Sequence, residues 1–250
     1  MLEFLVSFFG GLIAGSINTL AGNGSAIVLI ILTDVVGLSP NVANGTNRIG
    51  VLIQTVASGY ELNKKHNQEL RNSKSIIIVT VLGALLGVFI ASVISNDQFK
   101  QAYKFMMLLM LIVILVKPSR WLKSEKSLPL FPAYISYPVF FLVGVYGGFI
   151  QMGVGIFLLA ALVLLAGYTI MNSNLVKALI VASYTVVVLI IFQIKGLVDW
   201  EAGIVIALSQ GLGGWLTAKY ANNSVYVEKI AYFLLVLIVV FSVIYQFFFQ

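Results

Sequence analysis

Residues 76–94 read IIIVTVLGALLGVFIASVI, an unbroken stretch with no charged side chain. A helix rises 1.5 Å per residue, so about 20 such residues span the hydrocarbon core of a bilayer. The run lacks the period-two alternation of an outer-membrane strand, and it therefore reads as a transmembrane helix. Phe105–Val116 and Val181–Ile194 have the same character. Of the 250 residues, 60% are hydrophobic and only 10% charged, and mean hydropathy is +1.02. A soluble domain carries about a quarter charged residues, so this chain has too little polar surface to coat a water-facing globule. The predicted class is an all-α polytopic membrane protein at the cell membrane, with the lipid bilayer as its first partner.

Outward from that run, apolar segments are predicted at about 3–21, 25–37, 41–60, 75–95, 100–117, 133–151, 154–167, 173–194, 200–219 and 227–248. The second and seventh are too short for a full span, and each follows a glycine-rich break: Gly22-Asn23-Gly24-Ser25 and Gly153-Val154-Gly155. Glycine permits the bend, and a broken helix leaves unpaired amides. Gly153 and Gly155 lie 131 residues beyond Gly22 and Gly24, and at this offset Asn41 meets Asn172 and Gly83 meets Gly214. The order of long, short and three further segments thus occurs twice. The expectation is two structural repeats of about five segments each, residues 1–125 and 126–250, forming one transport domain. Paired short, glycine-broken segments point to a transporter's binding region. Stretches such as Gly83-Ala84-Leu85-Leu86-Gly87 and Gly211-Leu212-Gly213-Gly214 read as close helix packing.

Charge placement sets the topology. The net charge of +6 does not indicate nucleic acid, because Lys64, Lys65, Arg71 and Lys74 share one loop and Lys117, Arg120, Lys123 and Lys126 another. Such clusters beside apolar spans are positive-inside signals. With both loops cytoplasmic, both termini lie outside, and five crossings per half make the repeats inverted. A re-entrant hairpin of the first two segments keeps that parity; a single broken span would make the halves parallel, but is too long. No Lys or Arg precedes the first apolar run, so the N-terminus lacks the basic region of a signal peptide and is expected in the mature protein.

Intramembrane charge is scarce. Arg48 is the only charged residue between Asp34 and Glu61, and Lys177 the only one between Lys126 and Lys195. A charge at a helix centre costs ~2.5–3.5 kcal/mol on insertion scales, so a compensating role is expected. Both cations lie early in the third segment of their half; with Ser39 as cap and Pro40 in the first turn, Arg48 lies well inside its helix. Two cations with no carboxylate nearby suit an anion, arginine as a two-pronged donor and lysine as a compact charge. The competing reading is snorkelling to the interface. Polar neutral residues gather around the same elements: Asn18, Asn23, Ser25, Asn44, Thr46, Asn47 and Gln54, then Gln151, Asn172, Ser173 and Asn174. These serve an anion site together with helix N-termini, or else interhelical hydrogen bonding. The expected substrate-binding set is Asn18, Gly22, Asn23, Gly24, Ser25, Asn44, Thr46, Asn47, Arg48, Gln151, Gly153, Gly155, Asn174 and Lys177.

Other candidates carry less. His66 sits in a basic loop and reads as solvated, while Asp34, Asp199 and Glu201 read as interface residues, Asp34 with a proton carrier as the alternative. Cysteine is absent, which excludes disulfides, thiol catalysis and cysteine metal sites. No Ser/His/Asp grouping, HExxH, P-loop or catalytic carboxylate pair is found, so neither an enzyme nor a cofactor is expected.

The stretch GLIAGSINTLAGNGS (11–25) followed by GLSPNVANGTNR (37–48) resembles the first half of the sulfite exporter TauE/SafE family. GVYGGFIQMGVG (144–155), then Asn174-Leu-Val-Lys177, then Gly196-Leu-Val-Asp-Trp200 resemble its partner repeat. The resemblance covers essentially the whole chain. Asn23 stands where the family's glycine run commonly continues, and Ile30 where a proline is common. The resemblance implies a permease for sulfite, a sulfonate or a related organic anion. The combined expectation is a secondary transporter working by alternating access, with an anion channel as the alternative. A coupling proton or sodium ion and a homo-oligomer are both compatible with the sequence.

Overall fold

A computed structural model describes residues 2–64, 73–115 and 133–221, with positions 233, 236, 237, 239–241, 243 and 244 of the last apolar segment. Lys65, His66, Arg71, the second basic cluster and most of segment 227–248 lie outside the described residues.

Among the described residues all regular structure is helical. The helices are α1 (Leu2–Ala21), α2 (Gly24–Ile30, continued by wider π-type turns over Ile31–Val35) and α3 (Pro40–Asn63). They continue with α4 (Lys74–Val93), α5 (Asn96–Leu115), α6 (Ala133–Phe149) and α7 (Val154–Leu164). Last come α8 (Ile170–Ile194) and α9 (Trp200–Leu216, continued by π-type turns over Thr217–Ala221). By length and composition, Glu3–Ala21, Lys74–Val93 and Ile170–Ile194 can each cross a membrane.

Local chemistry sets the boundaries. Pro40 opens α3 at a position where its missing N–H costs nothing. The Thr169 hydroxyl caps α8 by accepting from the Asn172 N–H, and the Asp199 carboxylate caps α9 by accepting from the Ala202 N–H at 2.9 Å. Asp199 is thus a helix cap. The two breaks rest on Gly22 and Gly153, whose φ values of +76° and +69° lie in the left-handed region that side-chain-bearing residues avoid.

α4 shows how the bundle packs. Its small residues Gly83, Ala84, Gly87 and Ala91 are buried, whereas Ile78, Leu82, Leu86, Phe89 and Val93 are exposed. A water-soluble helix does the reverse; here large apolar side chains face lipid and small ones allow the backbones to approach. A Cβ at Gly148 of α6 would lie 2.0 Å from the Ala84 carbonyl oxygen, and one at Gly87 2.0 Å from that of Val145. α1 and α9 meet in the same manner, with Gly15 against the Gln210 carbonyl and Gly213 against that of Leu12. Thus α1 packs on α9, α4 on α6, and α3 and α8 on each other, α3 also touching α9 and α8 touching α4. The small-residue stretches therefore have the packing role expected of them.

Candidate functional site

Each break leaves a helix end inside the protein with carbonyl groups that no further turn can satisfy, at the negative end of the helix dipole. A cation from the other half of the chain meets each end. Arg48 of α3 is fully buried and donates through Nη1 to the Gly147 carbonyl at 2.6 Å and through Nη2 to that of Gly148 at 3.2 Å. Asn44, one turn earlier, donates to the Phe149 carbonyl at 2.9 Å. These are the last carbonyls of α6. Lys177 of α8 donates to the Asn18 and Thr19 carbonyls near the end of α1, both at 3.3 Å, and to Asn174 Oδ1 at 2.9 Å. Neither cation makes an ion pair among the described residues, and neither snorkels: Arg48 is 0% and Lys177 6% exposed. Arg48 also lies over the Phe192 ring, 5.5 Å from its centroid.

A small cavity opens beside Lys177, with room for about one water molecule. Asn18 and Thr19 of α1, Gln54 and Ser58 of α3, Gln151 of the second break, Gly155 of α7 and Asn174 of α8 line it. Gln54 ties this wall together. Its Oε1 accepts from Asn18 Nδ2 at 2.7 Å, and its Nε2 donates to the Thr19 hydroxyl at 2.8 Å and that of Ser58 at 3.2 Å. Gln151 links the cavity to Arg48: its Oε1 accepts from Arg48 Nη1 at 2.5 Å and from the Tyr184 hydroxyl at 3.1 Å.

The breaks themselves touch. A Cβ on Gly22 would lie 2.4 Å from the Gly155 carbonyl carbon, and one on Gly153 3.0 Å from Asn23 Oδ1. Gly24 presses on the Ala14 carbonyl. Asn23 and Ser25 are buried here, and their side-chain polar atoms have no hydrogen-bond partner among the described residues.

The expected site residues thus divide. Asn18, Gln151, Gly155, Asn174 and Lys177 share the cavity; Gly22, Asn23, Gly24, Ser25 and Gly153 form the crossing of the breaks; Asn44 and Arg48 stand behind Gln151. Thr46 and Asn47 face elsewhere: the Thr46 hydroxyl accepts from the Asp199 N–H at 2.9 Å, and Asn47 Oδ1 from Gln210 at 3.4 Å, joining α3 to α9 and the turn before it. Sequence reasoning missed Thr19, Thr55, Ser58 and Tyr184. A signal existed for two of them: Asn47, Arg48, Gln54, Thr55 and Ser58 recur at helical spacing and form one buried polar stripe on α3. Tyr184 gives no such sign.

At the mouth of α3, Glu61 accepts from Lys64 and from the Trp215 indole, both at 3.1 Å. The bond to Glu61 raises the Lys64 pKa above its ordinary value. No grouping of three or more His, Cys, Asp or Glu that could hold a metal occurs among the described residues.

A probable membrane transporter protein of Sinorhizobium sp is 24% identical over 88% of this chain and 83% of its own length. One from Escherichia coli K12 is 24% identical over 86% and 79%, and one from Haemophilus influenzae 26% identical over 86% and 83%. No solved structure matches the chain. The model of the sulfite exporter TauE/SafE family matches residues 7–245, and with helices packed for lipid and broken at paired glycines, the chain belongs to that family and is a multi-pass membrane transporter.

Proposed function

We propose that this protein is a secondary transporter of a small sulfur-containing or organic anion, such as sulfite or a sulfonate, and that it works by alternating access. The observation that carries the reading is Lys177: a buried ammonium beside a cavity, held by carbonyl and amide oxygens, with no carboxylate among the described residues to neutralise it. Such a group attracts an anion that has shed its hydration shell, and hydroxyl and amide groups surround it. The near-closed cavity accords with a carrier between its two open states.

The repeat reading belongs here too. Residues 1–125 and 126–250 are taken as two inverted repeats. In support, the pairs α1 with α9 and α6 with α4 exchange under the 131-residue offset, and so do α3 with α9 and α8 with α4. Each half's cation caps the other half's broken helix. Alternating access then amounts to one half rocking against the other around Lys177.

Purified protein in proteoliposomes should accumulate or release radiolabelled sulfite with saturation, and an imposed proton or sodium gradient should change the rate. A panel of sulfite, thiosulfate, a short sulfonate and a dicarboxylate would rank substrates. Flux that rises linearly with concentration would indicate a channel, and no flux of any anion would overturn the reading.

A further inference from the structure

Arg48 stands close to the cavity, yet it does not line it, and both terminal nitrogens are engaged by α6 carbonyls, Asn44 and Gln151. Gln151 does line it. An amide has one accepting and one donating end, whereas a guanidinium only donates. Arg48 at 2.5 Å therefore requires the oxygen of Gln151 to face it, and the Tyr184 hydroxyl donates to that same oxygen. The Gln151 NH2 is left turned away from Arg48, and it makes no hydrogen bond among the described residues although the side chain is 3% exposed. The same logic holds at Lys177, another pure donor. It takes the oxygen of Asn174, whose NH2 likewise has no partner among the described residues in a side chain that is 5% exposed. Two cations thus orient two cavity-lining amides.

We propose that Arg48 is a positioning residue rather than a ligand contact. It acts through Gln151, turning that residue's NH2 into the cavity, so that the Gln151 and Asn174 amides offer donors to an oxyanion beside the charge of Lys177, whose own N–H groups are taken by protein oxygens. This rests on the anion-carrier reading above. It also explains why an arginine is buried where no ligand needs to reach it: only a group without acceptors leaves Gln151 a single orientation. A lysine retains that property, and a glutamine does not, because its own amide can meet Gln151 either way.

The test is equilibrium binding of radiolabelled sulfite, thiosulfate and a short alkyl sulfonate to the purified full chain, with the thermal unfolding midpoint measured for every variant. Gln151→Leu and Arg48→Gln should each weaken binding on the order of tenfold, the scale of one hydrogen bond to a charged group. The double variant should bind no more weakly than Gln151→Leu alone, since a residue acting only through Gln151 has nothing further to lose. Arg48→Lys should recover most of the affinity. A merely structural Arg48 would lower the unfolding midpoint and leave the affinity of the folded protein unchanged, which overturns the proposal. Losses that multiply in the double variant would make Arg48 a direct contact and also overturn it. Where Arg48 variants fail to fold, Gln151→Glu decides. It still accepts from Arg48 and Tyr184 but has no NH2, so sulfite binding should fall sharply, and normal binding sinks the idea. Lys177→Gln separates this proposal from its foundation: unchanged binding there removes the anion site itself, whereas weakened binding there with multiplying losses at Arg48 and Gln151 removes this inference alone. If the wild-type chain binds none of the three anions, both fall.

Discussion

At the scale of single residues, two buried cations need explaining, and magnitudes do it. An unpaired charge at membrane depth costs ~2.5–3.5 kcal/mol on insertion scales. A hydrogen bond involving a charged group contributes about 1.5–3 kcal/mol. Arg48 makes four such bonds and Lys177 three, all to neutral oxygens, so both are offset within the protein. Around Lys177 neutral oxygens satisfy the donors yet leave the positive charge uncancelled, and an anion can exploit that, while Arg48 keeps its Nε without a partner among the described residues. Lys177→Gln should therefore raise the KM for sulfite at least tenfold in proteoliposomes, since losing one of two buried charged partners costs roughly 2–5 kcal/mol. A near-normal KM would mean that Lys177 serves only the end of α1. Thr46→Val is the contrasting case. It removes an acceptor from the Asp199 N–H away from the cavity, so it should lower stability by about 1 kcal/mol and leave KM unchanged. A raised KM with unchanged stability would return Thr46 to the binding set.

At the scale of elements, the two breaks matter because they meet. Gly22 and Gly155 touch backbone to backbone, and a Cβ on Gly155 would lie 2.3 Å from the Gly22 Cα. No rotamer relieves such a clash, so the hairpins themselves must separate. Gly22→Leu, Gly24→Leu, Gly153→Leu and Gly155→Leu should each abolish sulfite flux. Gly37 supplies the control: its φ is +79°, but a Cβ there meets nothing within 4 Å. Gly37→Ala carries only the conformational cost of about 1 kcal/mol and should transport normally. If Gly37→Ala also abolished flux, left-handed backbone strain rather than the crossing of the breaks would account for Gly22 and Gly153. Thermal unfolding reads out the small-residue packing of α4 on α6. Gly148→Val would set a side chain against the Ala84 carbonyl, so its unfolding midpoint should drop well below that of Gly37→Ala.

At the scale of the whole molecule, the proposed inverted arrangement makes a topological prediction. The loops at 61–75 and 117–128 should face the cytoplasm with both termini outside. The chain has no cysteine, so single cysteines introduced at Asn67 or Ser124, both outside the described residues, give unambiguous labels. Neither should react with an impermeant thiol reagent in intact cells, and both should react after permeabilisation. Labelling of either from outside would overturn the inverted repeats while leaving the Lys177 cavity in place.

Composition and glycine placement made the helical class, the order of the first nine segments and both breaks legible in the sequence. Those properties are local: each side chain's transfer from water to lipid and each glycine's left-handed freedom need no partner. Rotation of each helix about its axis was not legible. In water an apolar stripe marks the buried face, but in a bilayer both faces are apolar, and α4 buries glycine and alanine while exposing phenylalanine and leucine. Arg48 and Lys177 could therefore be identified as intramembrane cations, but not as crosswise caps on α6 and α1. Gln54 and Ser58 could be seen to share a face of α3, but not that this face meets Asn18 and Lys177 around a cavity. Those pairings join residues up to 159 positions apart. Only the packing of the two halves brings their donors and acceptors within hydrogen-bond reach, and hydrogen bonding acts over ångströms of space, whatever the separation along the chain.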